Sequence, residues 1–353
     1  MKFSKLFLIA LSISMFVSCS NDEESNEPKG VYDNGFFILN EGSKAQGSIS
    51  FLSNDLATFT KDVYGPANNK DIPGGYLQNI FFNGDNAYII SGGSNVINVV
   101  NRYTFKLVTK IETGLNNPRY GVVQDGKAYV TNANTYADWG AATDAVGNTD
   151  DYVAIIDLQT NKYESKIDLN ATANRLVSEN GKLYITEPNN STKLLVVNLA
   201  TKKTETSFEI GSSADCIEEQ NGFLYILRGP FGDRSEIVKV KLSDKSISKI
   251  TFPEVLDGAG YMDIEDDKIY YTAGSSVYAI SANATTASTT AIVTVTLSEG
   301  GYIYGFAVNA NRIYIADGGT FGTDSQAFIY NLAGTLEKEI TVGLGPNGFY
   351  FNN

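Results

Sequence analysis

The chain has 353 residues, with 40 acidic side chains against 27 Lys and Arg for a net charge of −13, two cysteines and no histidine. Such acidity argues against nucleic acid or anionic lipid head groups as partners, since both need basic patches. Two cysteines cannot build a disulfide framework, and the missing histidine removes imidazole acid–base chemistry, a Ser-His-Asp triad and imidazole metal ligation.

Taken in order, the chain opens with Lys2 and Lys5 ahead of an apolar run from Leu6 to Val17. The run is too short to span a bilayer and reads as a secretory leader over residues 1–18. It ends in Phe16-Val17-Ser18-Cys19, which resembles a bacterial lipoprotein processing box with Phe where Leu is common. That resemblance makes Cys19 the lipidation site. The acidic Asp22-Glu23-Glu24 that follows resembles the surface-export signal of Bacteroidota lipoproteins. Residues 19–33 hold too few apolar groups to pack and are expected to act as a flexible tether. The expected location is the outer membrane, facing the exterior, with a lipid anchor as the sole membrane contact.

Residues 34–353 are repeats. Short runs rich in β-branched and aromatic residues alternate with Gly, Asn and Asp punctuation, the pattern of β-strands. Phe37, Tyr88, Tyr129, Tyr184, Tyr225, Tyr270 and Tyr314 recur 41 to 55 residues apart, each at the same place in a predicted second strand. That spacing is the period of four-stranded propeller blades. Turn pairs precede most of them: Gly84-Asp85, Asp125-Gly126, Asn180-Gly181, Asn221-Gly222, Asp266-Asp267 and Ala310-Asn311. Asp-Gly or Asn-Gly between two strands is a hairpin signal, because a type I′ turn needs positive φ twice. Blade one, beginning at Gly35-Phe36-Phe37, lacks a strand ahead of it. The C-terminal Pro346-Asn347-Gly348-Phe349-Tyr350-Phe351 matches Pro118-Arg119-Tyr120-Gly121-Val122-Val123 and is expected to supply it. The expected fold is therefore all-β, a seven-bladed β-propeller of four-stranded antiparallel blades whose C-terminal strand completes the first blade.

Tyr129-Val130-Thr131-Asn132, with Val153-Ala154-Ile155-Ile156-Asp157 and Thr160-Asn161-Lys162 after it, resembles the YVTN-type (YncE-like) propeller repeat. The resemblance is close in blade three and looser elsewhere. With the leader and the opening Phe37-Ile38-Leu39-Asn40-Glu41-Gly42, the chain resembles the surface propeller lipoproteins of Bacteroidota. Some of those capture cobalamin and pass it to a TonB-dependent outer-membrane transporter. The resemblance implies architecture, leader and such a partner; the sequence holds no ligand-specific motif.

Turns between first and second strands are tight, whereas the second-to-third loops vary, and variable loops on a rigid scaffold are where binding sits. The longest, 132–151, carries Tyr136 and Trp139, an aromatic pair suited to a planar ligand or sugar, or to anchoring its own loop. Ten residues before the aligned aromatics stand Gln78, Arg119, Asn174, Asp215, Gly260 and Tyr304, and Asn347 joins them from the C-terminal strand. These positions are expected to ring the channel mouth and to hold a polar ligand by several hydrogen bonds, or simply to hydrate it. Asp144, Asn148, Asp150 and Asp151 offer oxygen ligands for calcium, although such residues are also ordinary turn formers. Cys216 reads as a small buried hydrophobe.

The sequence reading is thus a binding module for a small molecule, partnered with an outer-membrane transporter, with no enzymatic constellation and no bound cofactor required. The alternatives are a calcium- or quinone-dependent propeller enzyme, a lactonase or dehydrogenase, or a structural adhesion protein.

Overall fold

The computed structural model describes residues 29–134, 149–189, 191–230 and 232–352. Seven antiparallel sheets stand around a central axis, each running from an inner strand outwards. The inner strands are Leu77–Asn83, Pro118–Gln124, Leu176–Glu179, Ala214–Gln220, Ala259–Glu265, Ile303–Asn309 and, for blade one, Pro346–Phe351. The hairpins follow the turn chemistry. Asp125 and Gly126 take φ of 51° and 73°, Asn180 and Gly181 51° and 71°, Asn221 and Gly222 53° and 78°. Ala310 takes the same left-handed conformation at 50° without the help that Asn or Gly would give.

The ring closes where the repeat pattern places the closure. Phe351 pairs with Phe36, Tyr350 with Phe37 and Phe349 with Ile38 in antiparallel register. Around that seam Tyr314 packs at 4.9 Å from Phe36, 5.5 Å from Phe349 and 5.0 Å from Phe351, ring centre to ring centre. Aromatic contacts of this kind add about 0.5–1.5 kcal/mol each beyond the area they bury. Asn352 continues the seam: its Nδ2 donates to the carbonyls of Tyr32 at 2.5 Å and Arg102 at 3.1 Å. Tyr32 lies within the stretch read as a tether, yet its ring packs edge-on to Phe51 at 5.0 Å and its N–H donates to Tyr103 O.

Alternation puts every second side chain between neighbouring sheets. All seven aligned aromatics are buried, from Phe37 and Tyr88 at 0 % exposed to Tyr129 at 7 %. Tyr88 stacks on Phe81, its own cross-strand partner, at 4.8 Å. Three features lie outside the repeat. Blade one's outer strand is only Phe59–Thr60 and runs into a short helix, Tyr64–Ala67. Blade four's is split into Lys203–Thr204 and Phe208–Glu209. A single 3₁₀ turn, Glu254–Leu256, joins blades five and six.

Candidate functional site

The residues of the YVTN-like stretch explain how the channel mouth is held. Thr131, Thr186 and Thr272 each stand two residues after an aligned tyrosine, Thr131 and Thr272 within second strands and Thr186 just past the end of one, and all are buried. Thr131 Oγ1 donates to Asn174 O at 2.7 Å, two residues ahead of the next blade's inner strand, and Thr186 Oγ1 to Asp215 O at 2.7 Å, within the next blade's inner strand. Thr272 Oγ1 accepts the Tyr261 N–H at 3.0 Å. Asn132 works on the connection instead: its Oδ1 accepts the Asn116 N–H at 2.9 Å and its Nδ2 donates to Val130 O. Threonine thus positions the ring, and asparagine positions the connection behind it.

Within the ring, Arg119 Nε donates to Asn174 Oδ1 at 3.3 Å, and Asn174 Nδ2 donates to Asp215 Oδ1 at 2.9 Å. The second Asp215 oxygen accepts Arg175 Nε at 3.1 Å, and the Arg175 guanidinium lies 4.5 Å from the centre of the Tyr120 ring. Both members of that ion pair stay partly wet, at 28 % and 30 % side-chain exposure, so the pair borders the channel rather than a dry core. Across the mouth the Tyr304 hydroxyl donates to Glu41 Oε2. Burial raises the Glu41 pKa, and Tyr304, Arg119 and Gln78 each pull it back down.

The structure therefore joins Arg119, Asn174 and Asp215 into one hydrogen-bonded arc and ties Tyr304 to Glu41 opposite. Gln78 and Asn347 are spent partly on backbone, Gln78 Nε2 donating to Tyr76 O at 3.2 Å and Asn347 Nδ2 to Leu77 O at 2.8 Å. Gly260 contributes no side chain; beside it the Tyr261 hydroxyl donates to Tyr304 O at 2.7 Å.

An aromatic group that sequence reasoning missed stands over the Tyr304 side. Tyr302 meets Tyr304 edge-on at 5.6 Å and Phe321 meets it at 5.1 Å. Tyr302 is 46 % exposed and Tyr76 42 %. Phe321 sits at φ 58°, a conformation that costs a non-glycine residue roughly 1–2 kcal/mol. Tyr302 and Tyr76 each lie two residues before a ring position, the signal that could have found them.

The remaining expectations separate from this mouth. Tyr136, Trp139, Asp144, Asn148 and the lipidation site Cys19 lie outside the described residues. Asp151 is buried and its two oxygens accept the N–H groups of Asn134 at 3.0 Å and Ala173 at 2.8 Å; Asp150 accepts Asn134 Nδ2 at 2.6 Å. Burial pushes the Asp151 pKa up to about 6. Both are fastening the base of the loop, and among the described residues no cluster of acidic or thiol ligands could hold a metal ion. Cys216 is buried, its thiol 3.7 Å from Gly260 O and pushed up to about 12 by burial.

Below the mouth lies a cavity of about 470 Å³, bordered by Arg175, Glu218, Tyr261, Asp263, Asn347 and Tyr350 among others. Of the residues singled out in the sequence, Asn347 and Cys216 reach it. Burial, with Asp263 second, pushes the Glu218 pKa up to about 8, and burial pushes Asp263 up to about 6.

Comparison with known proteins bears on the fold and the family. A family described as a domain of unknown function, DUF5074, matches residues 34–352. Among solved structures, a quinonprotein alcohol dehydrogenase-like protein from Bacteroides thetaiotaomicron superposes with a TM-score of 0.67 at 17 % identity, over 91 % of this chain and 79 % of that one. A candidate 6-phosphogluconolactonase from Bacteroides uniformis gives 0.60 at 12 % identity, over 90 % and 99 %. The apo form of AztD from Citrobacter koseri gives 0.54 at 13 % identity, over 89 % and 96 %. At such identities the likeness is one of fold. No curated protein sequence matches the chain.

Proposed function

This chain belongs to the DUF5074 family, and from that premise we propose that it is a binding module that captures a small molecule at the loop-side mouth of its channel. The observation that carries the reading is the pairing of two complementary surfaces across one opening. The Arg119–Asn174–Asp215 arc offers donors and acceptors fixed by hydrogen bonds, and Tyr302, Tyr304 and Phe321 offer ring faces and edges opposite. Preorganised polar groups beside aromatic surface suit a ligand with both rings and hydroxyl or amide groups, such as a glycan or a corrinoid.

With its lipoprotein-like leader, the module is read as an outer-membrane surface protein anchored through Cys19, which hands its ligand to a TonB-dependent transporter. The resemblance to the YVTN-type surface propellers supports that part. Titration calorimetry of the mature protein against cobalamin and a glycan panel tests capture. Tyr302→Ala and Asn174→Ala are each expected to weaken the bound ligand at least tenfold, about 1.4 kcal/mol. Turnover of a lactone or alcohol substrate by a protein that binds no panel member overturns the reading in favour of a propeller enzyme. Labelling with a fatty-acid probe that persists in Cys19→Ala would remove the anchor.

A further inference from the structure

The position directly across from each aligned aromatic is apolar in four blades: Phe81 faces Tyr88, Val122 faces Tyr129, Val177 faces Tyr184 and Ala307 faces Tyr314. In blade one it is Tyr350, facing Phe37. In the two neighbouring blades five and six it is Glu218, facing Tyr225, and Asp263, facing Tyr270. Packing alone asks for an apolar residue there, as the other blades show, so two adjacent acids in the wall of a channel need another reason.

Neither acid has a cation of its own. The nearest positive charge, Arg175, already pairs with Asp215 at 3.1 Å. Asp263 spends one oxygen on the Val308 N–H and the other on the Ile264 N–H, both at 2.7 Å. Glu218 receives no side-chain or backbone hydrogen bond from any described residue; Asp263 and Arg175 are the charges that act on it, and Glu265 in turn acts on Asp263. A second acceptor is also unanswered, because Asn347 Oδ1 is buried without a donor. Glu218, Asp263 and Asn347 border the same cavity of about 470 Å³, walled by Tyr261, Phe306 and Tyr350. Acceptors without donors and negative charge without a counter-charge, between aromatic walls, describe the complement of an organic ammonium ion.

We propose that the lower channel is a receptor site for a small organic cation, a primary or quaternary ammonium compound, with Glu218 as its principal counter-ion. The site is separate from the rim and stands or falls without it. Binding of a cation requires the Glu218 carboxylate, so a carboxyl that is protonated before binding releases its proton to solvent as the ammonium enters.

Calorimetry of the mature protein against putrescine, agmatine and choline, with myo-inositol as a neutral control, tests this. An ammonium compound is expected to bind at pH 8.5 and to bind roughly tenfold or more weakly at pH 6.5, where Glu218 holds its proton. At pH 7, titrations in phosphate and in HEPES, buffers of unlike ionisation heat that carry no primary or quaternary ammonium group, should differ in heat by the release of close to one proton. Glu218→Gln, which keeps the shape of the side chain, should abolish both the affinity and its pH dependence while leaving the melting transition cooperative. No heat from any ammonium compound at pH 8.5 overturns the proposal, as does ammonium binding that Glu218→Gln leaves unchanged. Rim binding of a glycan or corrinoid by the parent protein, with no ammonium compound bound to it at pH 8.5, overturns the proposal and leaves the proposed function standing.

Discussion

The two levels of the channel are built from the same seven strands but treat charge in opposite ways. At the upper level the charged groups of the arc are answered, Arg175 by Asp215 and Arg119 by Asn174, with Glu41 met by Tyr304. Three residues further along the same inner strand, Glu218 has no donor and a like-charged neighbour. An answered network is rigid and presents groups at fixed positions, as recognition by hydrogen bonding requires. Two neighbouring acids of which only Asp263 has donors, the Val308 and Ile264 N–H groups, hold electrostatic cost in the folded state, and a proton or a cation relieves it.

The harshest way to break the comparison is to remove the strand that serves both levels. Pro346–Phe351 contributes Asn347 and Tyr350 to the channel and seals the edge of Gly35–Asn40. Truncation before Pro346 leaves a row of unpaired backbone groups beside Phe36 and Ile38, both fully buried in the intact ring. The expected result is loss of cooperative thermal unfolding and aggregation on size exclusion. Phe349→Ala, a milder form, should cost about 3–5 kcal/mol in chemical denaturation, the usual range for emptying a buried phenylalanine site. A truncated chain that melts as cleanly as the whole one would mean that the seam contributes little.

Next in size is Asp215→Ala, which takes the acceptor from Arg175 Nε and Asn174 Nδ2 together. Because both side chains of the ion pair are partly wet, the loss should be about 1–3 kcal/mol rather than that of a fully buried pair. Pairing it with Arg175→Met should return a good part of that loss, since the stranded charge is then gone as well. A double variant no more stable than Asp215→Ala would show that the arc is held by packing and not by its charges.

The upper level was legible in the sequence and the lower was not, for a physical reason. Repetition at 41 to 55 residues, turn pairs and the match of 346–351 to 118–123 specify strands and closure through backbone chemistry that each blade must satisfy alone. Aligning on the buried aromatics then finds Gln78, Arg119, Asn174, Asp215, Tyr304 and Asn347, because a polar residue recurs at that register. The hydrogen bonds among Arg119, Asn174 and Asp215 depend on side-chain reach between blades, which no single repeat encodes. Glu218 and Asp263 escape because their meaning lies in deviation: the same register in the other five blades is Phe, Val, Val, Ala and Tyr. Phe321 escapes because it sits on a connection, and Tyr302 because only Tyr76 repeats an aromatic two residues before a ring position.

Glu218→Gln sharpens the comparison through stability. Burial, and after it the neighbouring Asp263, holds the Glu218 carboxyl pKa well above the range of an exposed glutamate. The folded state therefore binds a proton that the unfolded chain has already lost, and stability declines as pH rises from about 4.5 to about 8. Asp263 adds a smaller decline between about 3.8 and 6. Replacing Glu218 by Gln removes its share, so the variant should melt higher than the parent at pH 8.5, on the order of 2 °C or more, and match it near pH 4.5. Equal pH slopes for the two proteins would mean that the Glu218 carboxyl is already well solvated.

The smallest expected effect concerns the thiol between the two levels. Cys216 borders the lower cavity, so a small reagent has a path to it, yet burial holds the thiol in its protonated form. Arg175 and Asp215 act on it in opposite directions, Arg175 favouring the thiolate and Asp215 the thiol. At pH 8 a thiol near pKa 12 is ionised so rarely that reaction with a disulfide reagent should run roughly a thousandfold slower than with free cysteine. Asp215→Ala leaves Arg175 to favour the thiolate and should speed the reaction severalfold. A fast reaction in the intact protein would instead mean that the arc above leaves the shaft open and wet down to Cys216, and the two levels would then be one.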